Sequence, residues 1–177
     1  MAIKEYILEG MLKDLTVCQH LYSKLPENSI DKRPAEKMRS TRELLQYLAF
    51  IGGASIQSYL NGGWGLEENI QQLKIAREKA SKLEPEDFIA AIEADKNRIS
   101  ALFSDLTDED LMNRETTHPW GTKVKLIDAM LNNSSKYLAA YRLQLFTYAK
   151  IWGADINTAN AWRGVDFKPQ LVPQPSN

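Results

Sequence analysis

The sequence predicts an all-α fold, a bundle of four long amphipathic helices joined by long crossover connections. Four long segments repeat apolar residues every three or four positions, which is the spacing of one face of a helix. No segment alternates apolar and polar residues between hairpin turns, so no sheet is predicted. At 177 residues the chain has the size of one domain and can bury a core without disulfides or metal ions.

The first helix is predicted over residues 3–24. Its apolar stripe consists of Ile7, Met11, Leu15, Cys18 and Tyr22. Proline disfavours helical geometry at the residue before it, so Pro26 marks the end of this helix.

The second helix is predicted from Ser40 or Thr41 to about Leu60, with Ser40 and Glu43 forming a capping box. Three glycines in residues 61–65 favour a turn there. Gly52 and Gly53 weaken the middle of the helix, but residues this small also permit close approach of a neighbouring helix or a ligand.

Residues 67–82 are polar and rich in lysine and glutamate, and they fit either a surface helix or an extended connection. The third bundle helix is predicted to begin near Pro85, since proline is tolerated in the first helical turn. Its apolar face consists of Phe88, Ile92, Ile99, Leu102 and Phe103.

Residues 107–122 are predicted to be a long connection, and the fourth helix is expected over residues 124–152. Gly153 is the expected C-terminal cap of that helix. Residues 1–155 are therefore assigned to the bundle. Residues 156–177, which include three prolines, are assigned to a tail that packs on the bundle or frays from it. Trp162 in this tail is expected to dock by burial.

Composition argues against several classes of function. The formal net charge of −1 offers no global attraction to nucleic acid or to an anionic membrane. No run approaches the roughly 20 apolar residues of a membrane span, and the N-terminus lacks the apolar stretch of a secretory signal. Cys18 is the single cysteine, which excludes an intramolecular disulfide and a cysteine-rich zinc site. A cytoplasmic location is expected.

The fourth helix contains the most informative pattern. Tyr137 and Tyr141 are four residues apart, so they lie on one helical face, and Ser134 falls close to the same line. Two histidines at this spacing can converge on one metal ion. A phenol is a poor substitute, because it titrates near pH 10 and is neutral at pH 7.

Three motifs carry a resemblance to a known family. Residues 39–49, Arg-Ser-Thr-Arg-Glu-Leu-Leu-Gln-Tyr-Leu-Ala, resemble the second-helix motif of the DinB-like (DinB/YfiT) superfamily. Residues 141–145, Tyr-Arg-Leu-Gln-Leu, are similar to its fourth-helix motif, often written His-Arg-Gly-Gln-Leu. Pro119-Trp120-Gly121 before the last bundle helix also fits. The resemblance extends from the first helix to Gly153 and implies an up-down-down-up-type four-helix bundle and a homodimer.

Members of that family typically bind a divalent metal through one histidine on the second helix and two on the fourth. The matching positions here are Tyr47, Tyr137 and Tyr141, so a metal or other cofactor is not predicted. Three interpretations of these tyrosines stay open. They could form a packed core with mutually hydrogen-bonded hydroxyls, a phenol-lined small-molecule pocket that includes Ser134 and Trp120, or a metal site with tyrosinate ligands.

His118 is the best acid–base candidate, although a single loop histidine is more often incidental. The sequence therefore predicts a metal-free small-molecule-binding or stress-associated accessory protein, and more readily a non-enzyme than an enzyme. The alternative is a thiol-dependent transferase or isomerase, related to members of the superfamily that activate a thiol with the metal. Nucleic acid and membranes are not expected partners.

Overall fold

The computed structural model describes residues 2–167. Its helices are α1 (Ile3–Tyr22), α2 (Thr41–Leu48), α3 (Ile51–Leu60), α4 (Glu67–Ala80), α5 (Phe88–Ser104), α6 (Asp108–Asn113), α7 (Leu126–Ala129), α8 (Ser135–Ile151) and α9 (Thr158–Arg163). Single 3₁₀ turns lie at Glu27–Ser29 and Pro85–Asp87, and one turn of π-helix at Met130–Ser134 joins α7 to α8. The two strands are β1 (Glu115–Thr117) and β2 (Lys123–Lys125).

The core lies between α1, the α2–α3 pair, α5 and α8. Helix α1 packs against both α5 and α8, while α2 packs against α8 and α3 packs against α5. Each helix buries its apolar stripe in this core, for example through Met11, Leu44, Ile99 and Leu145. The prediction of an all-α bundle fold is confirmed.

The second predicted helix begins where its local sequence signal places it. The Ser40 hydroxyl accepts a hydrogen bond from the Glu43 backbone N–H at 3.2 Å, and the Glu43 carboxylate accepts one from the Ser40 N–H at 2.7 Å. These are the two bonds of the predicted capping box.

The same segment is not one continuous helix, which corrects the prediction for residues 40–60. It breaks at Ala49 and Phe50, and α3 starts anew at Ile51. A new helix leaves N–H groups without intrahelical partners. The Asp95 carboxylate of α5 accepts a hydrogen bond from the Gly53 N–H at 3.1 Å. A Cβ on Gly53 would lie 2.6 Å from that carboxylate, so the glycine permits the close approach.

The segment that separates α3 from α5 is helical. Helix α4 contacts α2 and α3, and most of its surface is exposed. Of the two open interpretations for residues 67–82, the surface helix is therefore correct.

The expectation of no sheet is wrong for residues 115–125, for which the sequence predicts part of a long connection and the start of the fourth helix. Helix α6 is followed by a short hairpin in which β1 pairs with β2 in antiparallel register, with Thr116 opposite Val124. Strands of three residues are too short to show an alternating pattern of apolar and polar residues, so no strand could be predicted here. Val124 thus belongs to β2, and the fourth helix begins at Leu126.

The fourth helix ends as predicted, with Gly153 at φ 93° directly after its last turn. Beyond it, α9 packs on α1 and α8. Trp162 of α9 is 58% exposed, which corrects the expectation that it is buried. Its ring instead lies 4.6 Å from the Arg142 guanidinium. Residues 168–177 of the predicted tail lie outside the described residues. Between residues 2 and 167, no helix is both long and apolar enough to cross a membrane.

Candidate functional site

Three tyrosines from two helices meet on one side of the bundle. Tyr47 lies on α2, and Tyr137 and Tyr141 lie one turn apart on α8. The ring centroids of Tyr47 and Tyr141 are 4.9 Å apart in an edge-to-face arrangement, and those of Tyr137 and Tyr141 are 6.4 Å apart. All three side chains are partly buried. We call these three residues the tyrosine cluster.

The hydroxyls of Tyr47 and Tyr141 interact with each other, since a hydrogen bond between the two side chains contributes to the raised pKa of Tyr47. Within residues 2–167, none of the three hydroxyls is hydrogen-bonded to a residue outside the cluster. Burial, followed by the neighbouring Tyr141 phenol, raises the pKa of Tyr47 above its ordinary value. Tyr47 therefore stays a neutral phenol at physiological pH, able to donate or accept a hydrogen bond.

Arg39 covers the cluster from the segment before α2. Its guanidinium carbon lies 4.3 Å from the centroid of the Tyr47 ring and 5.6 Å from that of Tyr141, within cation–π range. A surface cleft of about 350 Å³ opens beside it. The lining of this cleft includes Arg39, Tyr47, Phe50 and Arg77. Of the tyrosine cluster, Tyr47 lines the cleft, whereas Tyr137 and Tyr141 do not.

The donor chemistry of the cluster does not fit a divalent metal. A phenol must lose its proton to become a strong ligand, and the raised pKa of Tyr47 opposes that loss. The nearby Arg39 cation would also repel a metal ion. Nowhere in residues 2–167 do three or more His, Cys, Asp or Glu side chains come together in a way that could hold one.

Ser134, the fourth predicted pocket residue, lies in the π-helical turn before α8. Its hydroxyl is 2.8 Å from the Ser55 hydroxyl of α3, and both residues are buried. The hydroxyl is thus engaged between two helices. The adjacent Asn133 is also buried, and its side-chain oxygen has no hydrogen-bond partner among the described residues.

His118 is only 6% exposed and joins the hairpin to the bundle. Its Nδ1 lies 3.0 Å from the Tyr59 hydroxyl of α3, and its Nε2 lies 3.3 Å from the Asp128 carboxylate of α7. A carboxylate only accepts hydrogen bonds, so Nε2–H donates to Asp128, and in a neutral imidazole Nδ1 then accepts from the Tyr59 hydroxyl. This arrangement uses both ring nitrogens and favours a structural role for His118 over an acid–base role.

Trp120, the fifth predicted pocket residue, is 65% exposed and stacks on the His118 ring at 4.5 Å. It lies on the hairpin, in keeping with a role as a loop anchor. Trp64 connects this region to the tyrosine cluster, with its ring centroid 6.1 Å from Tyr59 and 6.5 Å from Tyr137.

The remaining histidine and the cysteine do not form a pair. Burial raises the pKa of the Cys18 thiol well above its usual range, so it stays protonated. His20 instead approaches Asn160 at 3.0 Å and Asp166 at 3.6 Å.

Sequence reasoning missed Arg39, Tyr59 and Asp128. Arg39 belongs to the motif that carries the family resemblance, but nothing in the motif shows that its side chain folds back over Tyr47. Tyr59 and Asp128 are 59 and 10 residues from His118 along the chain. No local spacing links them, so only the tertiary structure identifies this network.

Comparison with solved structures assigns the fold. A candidate member of the DinB family from Exiguobacterium sibiricum 255-15 superposes with a TM-score of 0.66 and 20% identity, over 89% of this chain and 96% of that chain. The chain has a DinB-like fold. A DinB-like protein, YjoA, from Bacillus subtilis gives a TM-score of 0.62 at 19% identity, over 85% of this chain and 94% of that chain. An uncharacterised protein from Escherichia coli UTI89 gives 0.59 at 22% identity, over 86% and 96%.

No protein-family model matches the chain, and no curated protein matches its sequence. The DinB-like fold agrees with the resemblance of residues 39–49 and 141–145. Identities near 20% establish shape and not activity. The function must therefore be argued from the site.

Proposed function

We propose that this protein binds a small planar molecule in the cleft beside Tyr47, in an accessory role and without a metal ion. The observation that carries the proposal is an open cleft of about 350 Å³ whose lining includes the rings of Tyr47 and Phe50 and the Arg39 guanidinium. Small-molecule sites typically combine apolar and aromatic walls with a few polar groups that fix orientation.

The walls of the cleft suit a flat ligand. Phe50 meets Tyr47 edge to face at 5.5 Å, and the Arg39 guanidinium lies 4.3 Å from the centroid of the Tyr47 ring. Aromatic rings prefer to pack against a further ring by stacking or by edge contact. A cleft of about 350 Å³ falls at the small end of the range for ligand pockets.

The absence of a metal requirement is part of the proposal. At the positions that match the family's three histidines, this chain has three phenols, of which Tyr47 has a raised pKa. The site would use them as neutral hydrogen-bonding groups and aromatic surfaces. Homodimerisation and a cytoplasmic location stay predictions from the sequence.

An uncharged probe tests the proposal. We expect benzamide to bind with a dissociation constant of roughly 1 mM, as befits a probe this small. Tyr47→Leu should weaken that binding about tenfold, because it removes the aromatic wall and the hydroxyl together. Isothermal titration calorimetry at high protein concentration measures both constants.

Tyr6→Leu is the matched control, since Tyr6 is 64% exposed on α1 and lies outside the tyrosine cluster. It should leave benzamide binding unchanged. The proposal fails if the native protein binds neither benzamide nor its charged analogue benzoate. It also fails if Tyr47→Leu and Tyr6→Leu, both shown to be folded by circular dichroism, bind benzamide equally well.

A further inference from the structure

Two arginines of the cleft have no anionic partner. The side chains of Arg39 and Arg77 line the same cleft, and neither makes a hydrogen bond or ion pair to a residue between 2 and 167. We propose that the ligand of the cleft is an aromatic carboxylate whose carboxylate is bound by Arg39. This inference rests on the proposed function and names its class of ligand.

The position of Arg39 leaves its donors free. Its guanidinium is only 4.3 Å from the Tyr47 ring centroid, and an aromatic ring attracts the cation without using its N–H groups. The five N–H groups of a guanidinium form a planar fork that matches the two oxygens of a carboxylate. The aromatic wall thus holds the fork in place for a ligand.

The acidic residue of the cleft does not satisfy Arg39. The Glu43 carboxylate accepts a hydrogen bond from the Ser40 N–H at 2.7 Å and lies 3.0 Å from the Arg33 guanidinium. These two contacts lower the pKa of Glu43, with the Ser40 bond contributing most. Glu43 is therefore engaged with Ser40 and Arg33.

Two arginines on the bundle helices α2 and α8 are paired, unlike Arg39. Arg42 contacts Asp31 at 2.6 Å and Glu84 at 2.7 Å, and Arg142 contacts Asp14 at 2.7 Å. The amide of Gln46, also in the cleft, donates to the backbone oxygens of Ser81 and Leu83. The charged donors left over in the cleft are those of Arg39 and Arg77.

The rings of Tyr47 and Phe50 indicate that the ligand has an aromatic group. A carboxylate on Arg39 places the attached group beside Tyr47 and Phe50, whose rings line the cleft. Stacking there adds to the ion pair, because both contacts exclude water from the guanidinium.

Benzoate and benzamide differ in charge but hardly in shape, so the pair isolates the role of Arg39. We expect the native protein to bind benzoate about tenfold more tightly than benzamide at low salt. Arg39→Gln should remove this preference and change the affinity for benzamide less than twofold. Arg163→Gln is the control, because it removes one positive charge from an exposed residue of α9.

The outcomes separate the two proposals. Equal affinity of the native protein for benzoate and benzamide overturns the carboxylate inference and leaves the proposed function standing. A preference for benzoate that survives in Arg39→Gln also overturns it. Failure of both probes to bind overturns the proposed function and this inference together. The ratio of the two affinities in the native protein, which should fall as salt rises, needs no variant to fold.

Discussion

Asp95→Ala is expected to lower the free energy of unfolding by about 2–3 kcal/mol at pH 4, where Asp95 is protonated in the folded protein. Asp95 is 4% exposed, and its carboxylate accepts the Gly53 N–H at the start of α3. Alanine would leave that buried N–H without a partner. Urea unfolding of the native protein and the variant measures the loss.

The pH dependence makes this prediction sharper. Burial raises the pKa of Asp95 from its ordinary 3.8 to about 7, against the opposing effects of the Gly53 N–H and Arg98. Between these two pH values the folded protein holds a proton that the unfolded chain has released. The contribution of this group to stability is therefore fully present below about pH 4 and falls by roughly 1.4 kcal/mol per pH unit as pH rises towards 7.

Asp95→Asn is the matched variant, because its amide oxygen can still accept the Gly53 N–H but cannot titrate. The difference in unfolding free energy, native minus Asp95→Asn, should decrease from pH 4 to about pH 7 and then level off. A difference that stays constant over this range would show that Asp95 titrates at its ordinary pKa. Subtracting the variant cancels the contributions of the other carboxylates.

Arg142→Ala is expected to lower the free energy of unfolding by about 3 kcal/mol at pH 7. Arg142 of α8 and Asp14 of α1 form an ion pair at 2.7 Å in which the side chains are only 10% and 14% exposed. Removal of the cation leaves the Asp14 carboxylate in a site whose burial already raises its pKa. Breaking one partner of a buried pair costs more than the pair itself contributes.

The double variant Asp14→Leu/Arg142→Leu tests that cause, since it replaces both charges with apolar side chains. We expect it to recover most of the stability lost in Arg142→Ala. Arg163→Ala, on the exposed side of α9, should change stability by less than about 0.5 kcal/mol. If Arg142→Ala behaves like Arg163→Ala in urea unfolding, the ion pair does not hold α1 to α8.

Features set by neighbouring residues could be predicted from the sequence. The Ser40–Glu43 capping box and the glycine after the fourth helix each depend on a few adjacent residues, and the structure has both. Features that depend on distant residues could not. The break between α2 and α3 is stabilised by Asp95, 42 residues away from Gly53. The hairpin could not be predicted because each of its strands has three residues, too few to show an alternating pattern.

The same distinction applies to the candidate site. The four-residue spacing placed Tyr137 and Tyr141 together, whereas the contact of Tyr47 with Tyr141 was expected only from the resemblance to DinB-like proteins. Arg39 was missed because its role depends on a side-chain position that no periodicity records. For Arg142, in contrast, the motif gives no reason to expect a structural role. It belongs to a matched motif, but its contacts with Asp14 and Trp162 give it a structural role.

The central claim is that the tyrosine cluster borders a small-molecule site and is not a metal site. Nuclear magnetic resonance of the tyrosine rings tests this claim most directly. The chain has seven tyrosines, so ring carbons labelled with carbon-13 give few signals, and single Tyr→Phe variants assign them. We predict that benzamide shifts the Tyr47 signals most and leaves Tyr6 unmoved, while an equimolar addition of zinc shifts none of Tyr47, Tyr137 and Tyr141. Stoichiometric zinc-induced shifts at these three rings, or benzamide shifts that spare Tyr47, would contradict the account.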